Sequence, residues 1–241
     1  MSGASSSAST TERVRAGDAL VGTFLNLGSP LAAEVCALAG FDFVVVDLEH
    51  GAGTESELIP TLQALGGRCG AVVRVEAASR PRVQRALDGG ADGVMVPRIE
   101  SAEEARAAVA ATRYPPRGVR GVAYMNRGAA FGVGAPERDA LVAIQIETRG
   151  AVEQAREIAA LDGVDVLYVG PADLAAALGT SELPLDEIVA AAEAEGKAAG
   201  LFTRVREDAE RALERGFRFV TVGADSFFLA EGARAAAAPY A

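Results

Sequence analysis

The fold class the sequence predicts is α/β, a single (β/α)8 TIM barrel, and three observations lead there. From Ala19 onward, short β-branched apolar runs alternate with helical segments, the pattern of parallel strands joined by helical crossovers. Eight such units fill most of a 241-residue chain, near the lower end of the size usual for a barrel. Cap residues and turn glycines punctuate the units at the places where helices should begin and end.

Residues 1–12 are rich in Ser, Ala and Gly and lack the basic start and apolar stretch of a signal peptide. They are read as a disordered tail, with the barrel domain over 13–241. Strands are expected at 21–26, 43–48, 72–75, 93–96, 141–146, 166–169, 200–203 and 219–223. Ser29-Pro30 places an N-cap before a proline at the first helical position, and Thr54-Glu-Ser-Glu57 and Ser101-Ala-Glu-Glu104 match the capping-box pattern. Gly40, Gly66, Gly89, Gly179 and Gly216 fall where helices should end. Two segments break the rhythm. Residues 113–140 are too long for a plain connection and suggest a loop over the site, while 171–196 hold two helices, 171–178 and 185–195.

The balance of 23 Lys plus Arg against 33 Asp plus Glu, a formal charge of −10, argues against a nucleic-acid or anionic-membrane partner and for a small molecule or a protein. Cys36 and Cys69 form neither a zinc motif nor a disulfide framework, which fits a reducing cytoplasm. No apolar run approaches the roughly 20 residues a membrane span needs.

In a barrel of this kind the active site lies at the C-terminal ends of the strands. The stretch Phe41-Asp-Phe-Val-Val-Val-Asp-Leu-Glu-His-Gly51 is a buried strand that ends abruptly in Asp47, Glu49 and His50, the sole histidine of the chain. Two carboxylates within three residues of an imidazole can raise its basicity and fix its tautomer, as a general base requires; the alternative is a surface histidine at a turn. The third strand adds Arg74, suited to a developing enolate or a carboxylate, or else to a buried salt bridge. The fifth adds Gln145 and Glu147, and the sixth runs into Gly170-Pro-Ala-Asp173. Glu147 and Asp173 end neighbouring strands and make an all-oxygen pair that suits Mg2+ or Mn2+. In the competing reading Asp173 complements the helix dipole and Glu147 pairs with Arg149. The only lysine, Lys197, precedes the seventh strand and so lies on the opposite face, which argues against a Schiff-base mechanism. No glycine-rich dinucleotide or P-loop fingerprint appears.

Six stretches in this order carry a resemblance: Val46-Asp-Leu-Glu-His-Gly51; Val73-Arg74; Ala86-Leu-Asp-Gly-Gly90 with Val94-Met-Val-Pro97; Thr112-Arg-Tyr-Pro-Pro-Arg-Gly-Val-Arg-Gly121; Gln145-Ile-Glu147; and Val169-Gly-Pro-Ala-Asp173. Over about residues 19–230 the chain resembles the metal-dependent (class II) pyruvate aldolases of the 4-hydroxy-2-oxoheptanedioate aldolase and citrate lyase β family. The resemblance implies a barrel of the phosphoenolpyruvate/pyruvate type and a divalent cation, Mg2+, Mn2+ or Co2+, held by Glu147 and Asp173. It implies His50 as the base working through a metal-bound water, Asp47 orienting it, Asp88 raising its basicity and Arg74 stabilising the enolate oxygen. Gln145, Gly170, the Ala172 backbone and Asp173 would contact the keto acid. It also implies a homo-oligomer, commonly a hexamer, acting on a 2-oxo acid and an aldehyde. Gly51-Ala-Gly53, Arg98 and Tyr124-Met-Asn-Arg127 depart from the expected pattern and are read as lining the aldehyde side. The expected activity is cleavage of a 4-hydroxy-2-oxo acid to pyruvate and an aldehyde. The competing readings are oxaloacetate decarboxylation, lyase action on an acyl-CoA thioester, or a catalytically silent barrel that binds a keto acid or a partner protein.

Overall fold

The computed structural model describes residues 8–133 and 139–240. Eight parallel strands close in sequence order into a barrel, with β8 returning to β1. They are β1 (Leu20–Leu25), β2 (Phe43–Asp47), β3 (Gly70–Arg74), β4 (Gly93–Val96), β5 (Leu141–Ile146), β6 (Val166–Val169), β7 (Ala198–Thr203) and β8 (Phe219–Ala224). The barrel expected from the sequence is the one found. Strands β4, β5 and β6 have the expected ends, whereas β3 and β7 each start two residues early. Ladder partners set those starts: Gly70 pairs with Phe43 and Ala198 with Val166.

Side chains alternate between two cores, as strand geometry requires. Leu20, Phe24, Phe43, Val45, Val72, Met95, Leu141, Ala143, Val166, Tyr168 and Phe219 belong to the barrel interior. Val44, Val46, Val73, Val94, Val96, Val142 and Ile144 join the layer under the helices. Large rings fill the interior only because their neighbours are small. Phe43 and Phe219 stack at 3.8 Å between centroids, and a Cβ added at Gly22 would lie 2.6 Å from the Phe43 ring.

The helices are α1 (Thr10–Arg15), α2 (Pro30–Leu38), α3 (Glu55–Leu65), α4 (Arg80–Asp88), α5 (Ala102–Thr112), α6 (Arg149–Glu153), α7 (Ala155–Ala159), α8 (Pro171–Leu178), α9 (Leu185–Ala194), α10 (Arg206–Glu214) and α11 (Asp225–Ala237). Ser29 caps α2, and Thr54 with Glu57 forms the expected capping box of α3. At α5 only half of the expected box is present. Ser101 accepts from the Glu104 N–H, but the Glu104 carboxylate accepts from the Glu100 N–H, one residue before the cap.

Three connections into even-numbered strands carry the same device. Asp42, Asp92 and Asp165 each stand one residue before β2, β4 and β6. Each accepts the backbone N–H of the preceding strand, from Val21 at 2.9 Å, Ala71 at 2.8 Å and Val142 at 2.9 Å. A strand N-terminus that the ladder leaves short of a partner is thereby satisfied.

Two expectations are corrected here. The tail assigned to 1–12 ends earlier: Ser9 and Glu12 form a capping box that starts α1 at Thr10, while 1–7 lie outside the described residues. Helix α1 closes the N-terminal end of the barrel. Val14 is buried in the interior core, Arg13 binds Asp42 at 2.7 Å, and Arg15 binds Asp165 at 2.7 Å. Of residues 113–140, expected over the site, the described ones lie between the end of α5 and the start of β5, at the opposite end of the barrel. They are tied there by Arg120 to Asp88 at 2.7 Å, Gly128 N–H to the Asp88 carbonyl at 2.9 Å and Arg127 to the Gly89 carbonyl at 3.0 Å. A helix-to-strand connection begins and ends at the end of a parallel barrel opposite the mouth. The described part of the segment, Tyr124-Met-Asn-Arg127 included, therefore lines no aldehyde pocket within its own chain.

Asp165 serves both Val142 and Arg15, so Asp165→Ala is expected to cost about 2 kcal/mol by leaving a buried N–H unpaired. Asp162→Ala, which removes a 92% exposed partner of Arg113, is expected to change stability by less than about 0.5 kcal/mol. Urea denaturation of the two variants side by side checks the difference.

Candidate active site

Interior positions two residues apart along each strand lead to the mouth. In β2, Val45 is followed by Asp47; in β3, Val72 by Arg74; in β5, Ala143 by Gln145 and Glu147; in β6, Tyr168 by Gly170. The strand period thus delivers a ring of polar groups on top of an apolar core.

Asp47 and Arg74 are register partners and form a bidentate pair, Nε to Oδ1 at 2.9 Å and Nη2 to Oδ2 at 2.7 Å. Asp47 Oδ1 also accepts the backbone N–H groups of Glu49 and His50, at 3.1 and 3.2 Å, which folds the turn after the strand. Arg74 Nη1 lies 3.3 Å from Glu49, and its guanidinium carbon lies 5.0 Å from the centre of the Phe24 ring. Burial opposes the Arg74 charge, but the hydrogen bond and charge of Asp47, together with Glu49, outweigh it and hold its pKa above the ordinary value. Burial raises the Glu49 pKa, against the pull of Arg74 and His50.

The His50 side chain is 63% exposed, and its Nε2 lies 3.9 Å from Glu49 Oε2. Glu49 is therefore the carboxylate beside the imidazole. Asp47, expected to orient His50, meets it through the main chain and directs its charge to Arg74. Asp88 is not at this mouth. It ends α4, a helix that runs from the mouth to the opposite end of the barrel, and it is bonded there to Arg120.

Glu147 is buried, with Oε1 accepting the Arg98 N–H at 2.7 Å and Oε2 accepting from Gln145 Nε2 at 2.5 Å. Its pKa is raised, first by burial and further by the negative charge of Asp173. Arg149, the alternative partner, makes no ion pair with it among the described residues. Gly170 caps α8 beside this carboxylate; a Cβ there would lie 2.9 Å from Glu147 Oε2 and 3.4 Å from Gln145 Nε2. Ala172 and Asp173 are exposed in the first turn of α8. The mouth therefore gathers Asp47, Glu49, His50, Arg74, Gln145, Glu147, Gly170 and Asp173, and leaves out Asp88. The Arg98 main chain, which fixes Glu147, was not legible beforehand, because its role depends on a backbone angle that sequence does not display.

A family model described as HpcH/HpaI aldolase/citrate lyase matches residues 20–231. The chain belongs to that family. A 5-keto-4-deoxy-D-glucarate aldolase of Klebsiella pneumoniae subsp. pneumoniae is 41% identical over 219 residues, 85% of this chain and 86% of the relative. A solved HpcH/HpaI aldolase/citrate lyase family protein from Burkholderia cenocepacia J2315 superposes with a TM-score of 0.88 at 37% identity, over 95% of this chain and 98% of that one. More distantly, a citrate lyase β subunit from M. tuberculosis, solved with oxaloacetate and magnesium, shares the fold at 22% identity and a TM-score of 0.59, over 89% and 95% of the two chains. Relatives of this HpcH/HpaI aldolase/citrate lyase chain are thus named as aldolases and lyases, which places it among enzymes.

The residues at the mouth fit a hard divalent cation. No cluster of three His, Cys, Asp or Glu side chains suited to a metal occurs among the described residues. Glu147 and Asp173 nevertheless face one another electrostatically, and the buried Gln145 Oε1 has no hydrogen-bond partner. An all-oxygen half-site that leaves positions for water and substrate is what Mg2+ or Mn2+ takes.

Because the folded protein holds the Glu147 pKa above its ordinary 4.5, burial favours the neutral acid. The stabilisation is full below that ordinary value and is lost as pH rises through the elevated one. Glu147→Gln abolishes this dependence. Urea midpoints from about pH 4 to pH 8 are expected to fall in the native protein relative to the variant; parallel curves refute the raised pKa.

Proposed function

We propose that the protein is a divalent-metal-dependent aldolase that cleaves a 4-hydroxy-2-oxo acid to pyruvate and an aldehyde. The observation that carries this reading is the buried Glu147, fixed by the Arg98 N–H and Gln145 and coupled to Asp173, across the mouth from the Arg74–Asp47 pair. The name of the Klebsiella relative supports the substrate class: read from its keto end, 5-keto-4-deoxy-D-glucarate is itself a 4-hydroxy-2-oxo acid. The magnesium of the M. tuberculosis relative supports the choice of cofactor.

Glu147 and Asp173 would hold the cation, which supplies positive charge to the carboxylate and keto oxygens of the 2-oxo acid and so acidifies the adjoining carbon. Gln145 and the backbone at Gly170 and Ala172 bind and orient the keto acid. His50 takes the proton of the 4-hydroxyl, with the Glu49 carboxylate 3.9 Å from its Nε2. As that proton leaves, the C3–C4 bond breaks, its electron pair passes into the pyruvate enolate, and the aldehyde departs. Arg74, held charged and immobile by Asp47, stabilises the enolate oxygen.

Asp88 then acts between chains: its carboxylate serves the His50 of a neighbouring copy in a homo-oligomer, since its own chain keeps the two at opposite barrel ends. Association is supported by exposed apolar residues, among them Leu31, Val35 and Leu38 on α2 and Tyr124, Met125 and Phe131 in the 113–140 segment. The two free cysteines support a cytoplasmic home.

Pyruvate release is to be measured from a panel of 4-hydroxy-2-oxo acids, in EDTA and after restoring Mg2+, Mn2+ or Co2+. Metal-restored activity is expected, reduced about a hundredfold or more in His50→Ala. Pyruvate formed from oxaloacetate alone would replace the aldolase reading by a decarboxylase. For Asp88, co-assembled His50→Ala and Asp88→Asn chains are expected to exceed the activity of either variant alone. No gain in the mixture would refute the role between chains.

A further inference from the structure

Beyond β4 the chain passes through the buried Pro97 into Arg98, whose φ is 56°. A residue with a Cβ adopts left-handed backbone at a cost that glycine does not bear. The turn itself has a clear purpose. It brings the Arg98 N–H to Glu147 Oε1 at 2.7 Å, and the next residue, Ile99, is buried with its carbonyl accepting from Thr148 Oγ1 at 2.8 Å. Glycine at position 98 would donate the same N–H without strain. The backbone therefore explains the turn but not the arginine, and strain kept at such a place points to use of the side chain.

That side chain is exposed on the rim of the mouth. Among the described residues no hydrogen bond or ion pair engages its guanidinium, whereas the Arg74 guanidinium is committed to Asp47 and Glu49. Of the charged groups gathered at the mouth, Asp47, Glu49, Glu147 and Asp173 stand against Arg74, while Arg149 and Arg204 begin the connections after β5 and β7 at the same end. A second carboxylate on the aldehyde half of a substrate calls for a cation outside this inner set, and Arg98 is the one whose backbone is bonded to Glu147.

We propose that Arg98 is a specificity-determining residue that binds a distal carboxylate on the aldehyde half of the substrate and so selects dicarboxylic 4-hydroxy-2-oxo acids over neutral-tailed ones. The inference rests on the 2-oxo acid reading of the site. A guanidinium suits the task because its planar fork meets both carboxylate oxygens, and rooting it beside Glu147 fixes its distance from the keto-acid end.

Two uncleavable probes separate the possibilities, 2-oxoadipate and 2-oxohexanoate, which have equal chain lengths and differ at the far end by a carboxylate against a methyl group. In calorimetric titrations with Mg2+ present, the native protein is expected to favour 2-oxoadipate by about tenfold or more, the worth of a charge-assisted pair. Arg98→Gly is expected to bring that ratio close to one, and Arg98→Lys to keep part of it. The melting temperature of Arg98→Gly is expected to be at or above that of the native protein, so that lost preference does not reflect unfolding. A preference that survives in Arg98→Gly, or equal binding of both probes by the native protein, overturns the role of Arg98 and leaves the 2-oxo acid reading standing. Failure to bind either probe overturns both.

Discussion

The mouth of the barrel is organised by one buried ion pair. Asp47 and Arg74 stand opposite each other in the β2–β3 register, so the ladder brings two opposite charges within reach of each other. A charge so placed is tolerable only if its partner is present, because desolvation of either alone costs several kcal/mol. The same Asp47 oxygen that binds Arg74 also folds the Glu49–His50 turn. Charge balance and local backbone shape at this end are thus a single arrangement, and the lone histidine is displayed to solvent by it.

On the other side of the mouth, Glu147 is held by amide donors and by no cation among the described residues. Hydrogen bonds from Arg98 N–H and Gln145 favour its charged form, yet burial and Asp173 leave its pKa raised. Two buried carboxylates with opposite arrangements result. Asp47 is paired within the chain, while Glu147 has no cation beside it among the described residues, and the proposed division into a structural acid and a cation ligand rests on that asymmetry.

The two ends of the barrel divide the work. Strand-to-helix connections carry the polar groups of the site. Helix-to-strand connections carry Asp42, Asp92 and Asp165, which satisfy strand N–H groups, and α1 covers the interior core between them. Asp88 belongs by position to the second group, where it anchors the long segment after α5 through Arg120. A chemical role for it therefore calls for another molecule.

The sequence by itself determined the fold and most of the site inventory. Strand period and burial are local properties, so runs such as 141–146 and 166–169 announce both their ends and the polar residues beyond them. Caps are local too, which is why Ser29 and Thr54 were legible. Tertiary structure alone decided what depends on separation in space. It put Arg98 into a left-handed turn against Glu147, turned the Asp47 carboxylate toward Arg74, and sent Asp88 and the described part of the segment after α5 to the far end. It also drew Thr10 to Glu12 out of the presumed tail and into the helix that covers the barrel floor. Each of those outcomes hangs on a partner distant in the chain, and a linear pattern carries no record of which distant group will satisfy a given charge or N–H.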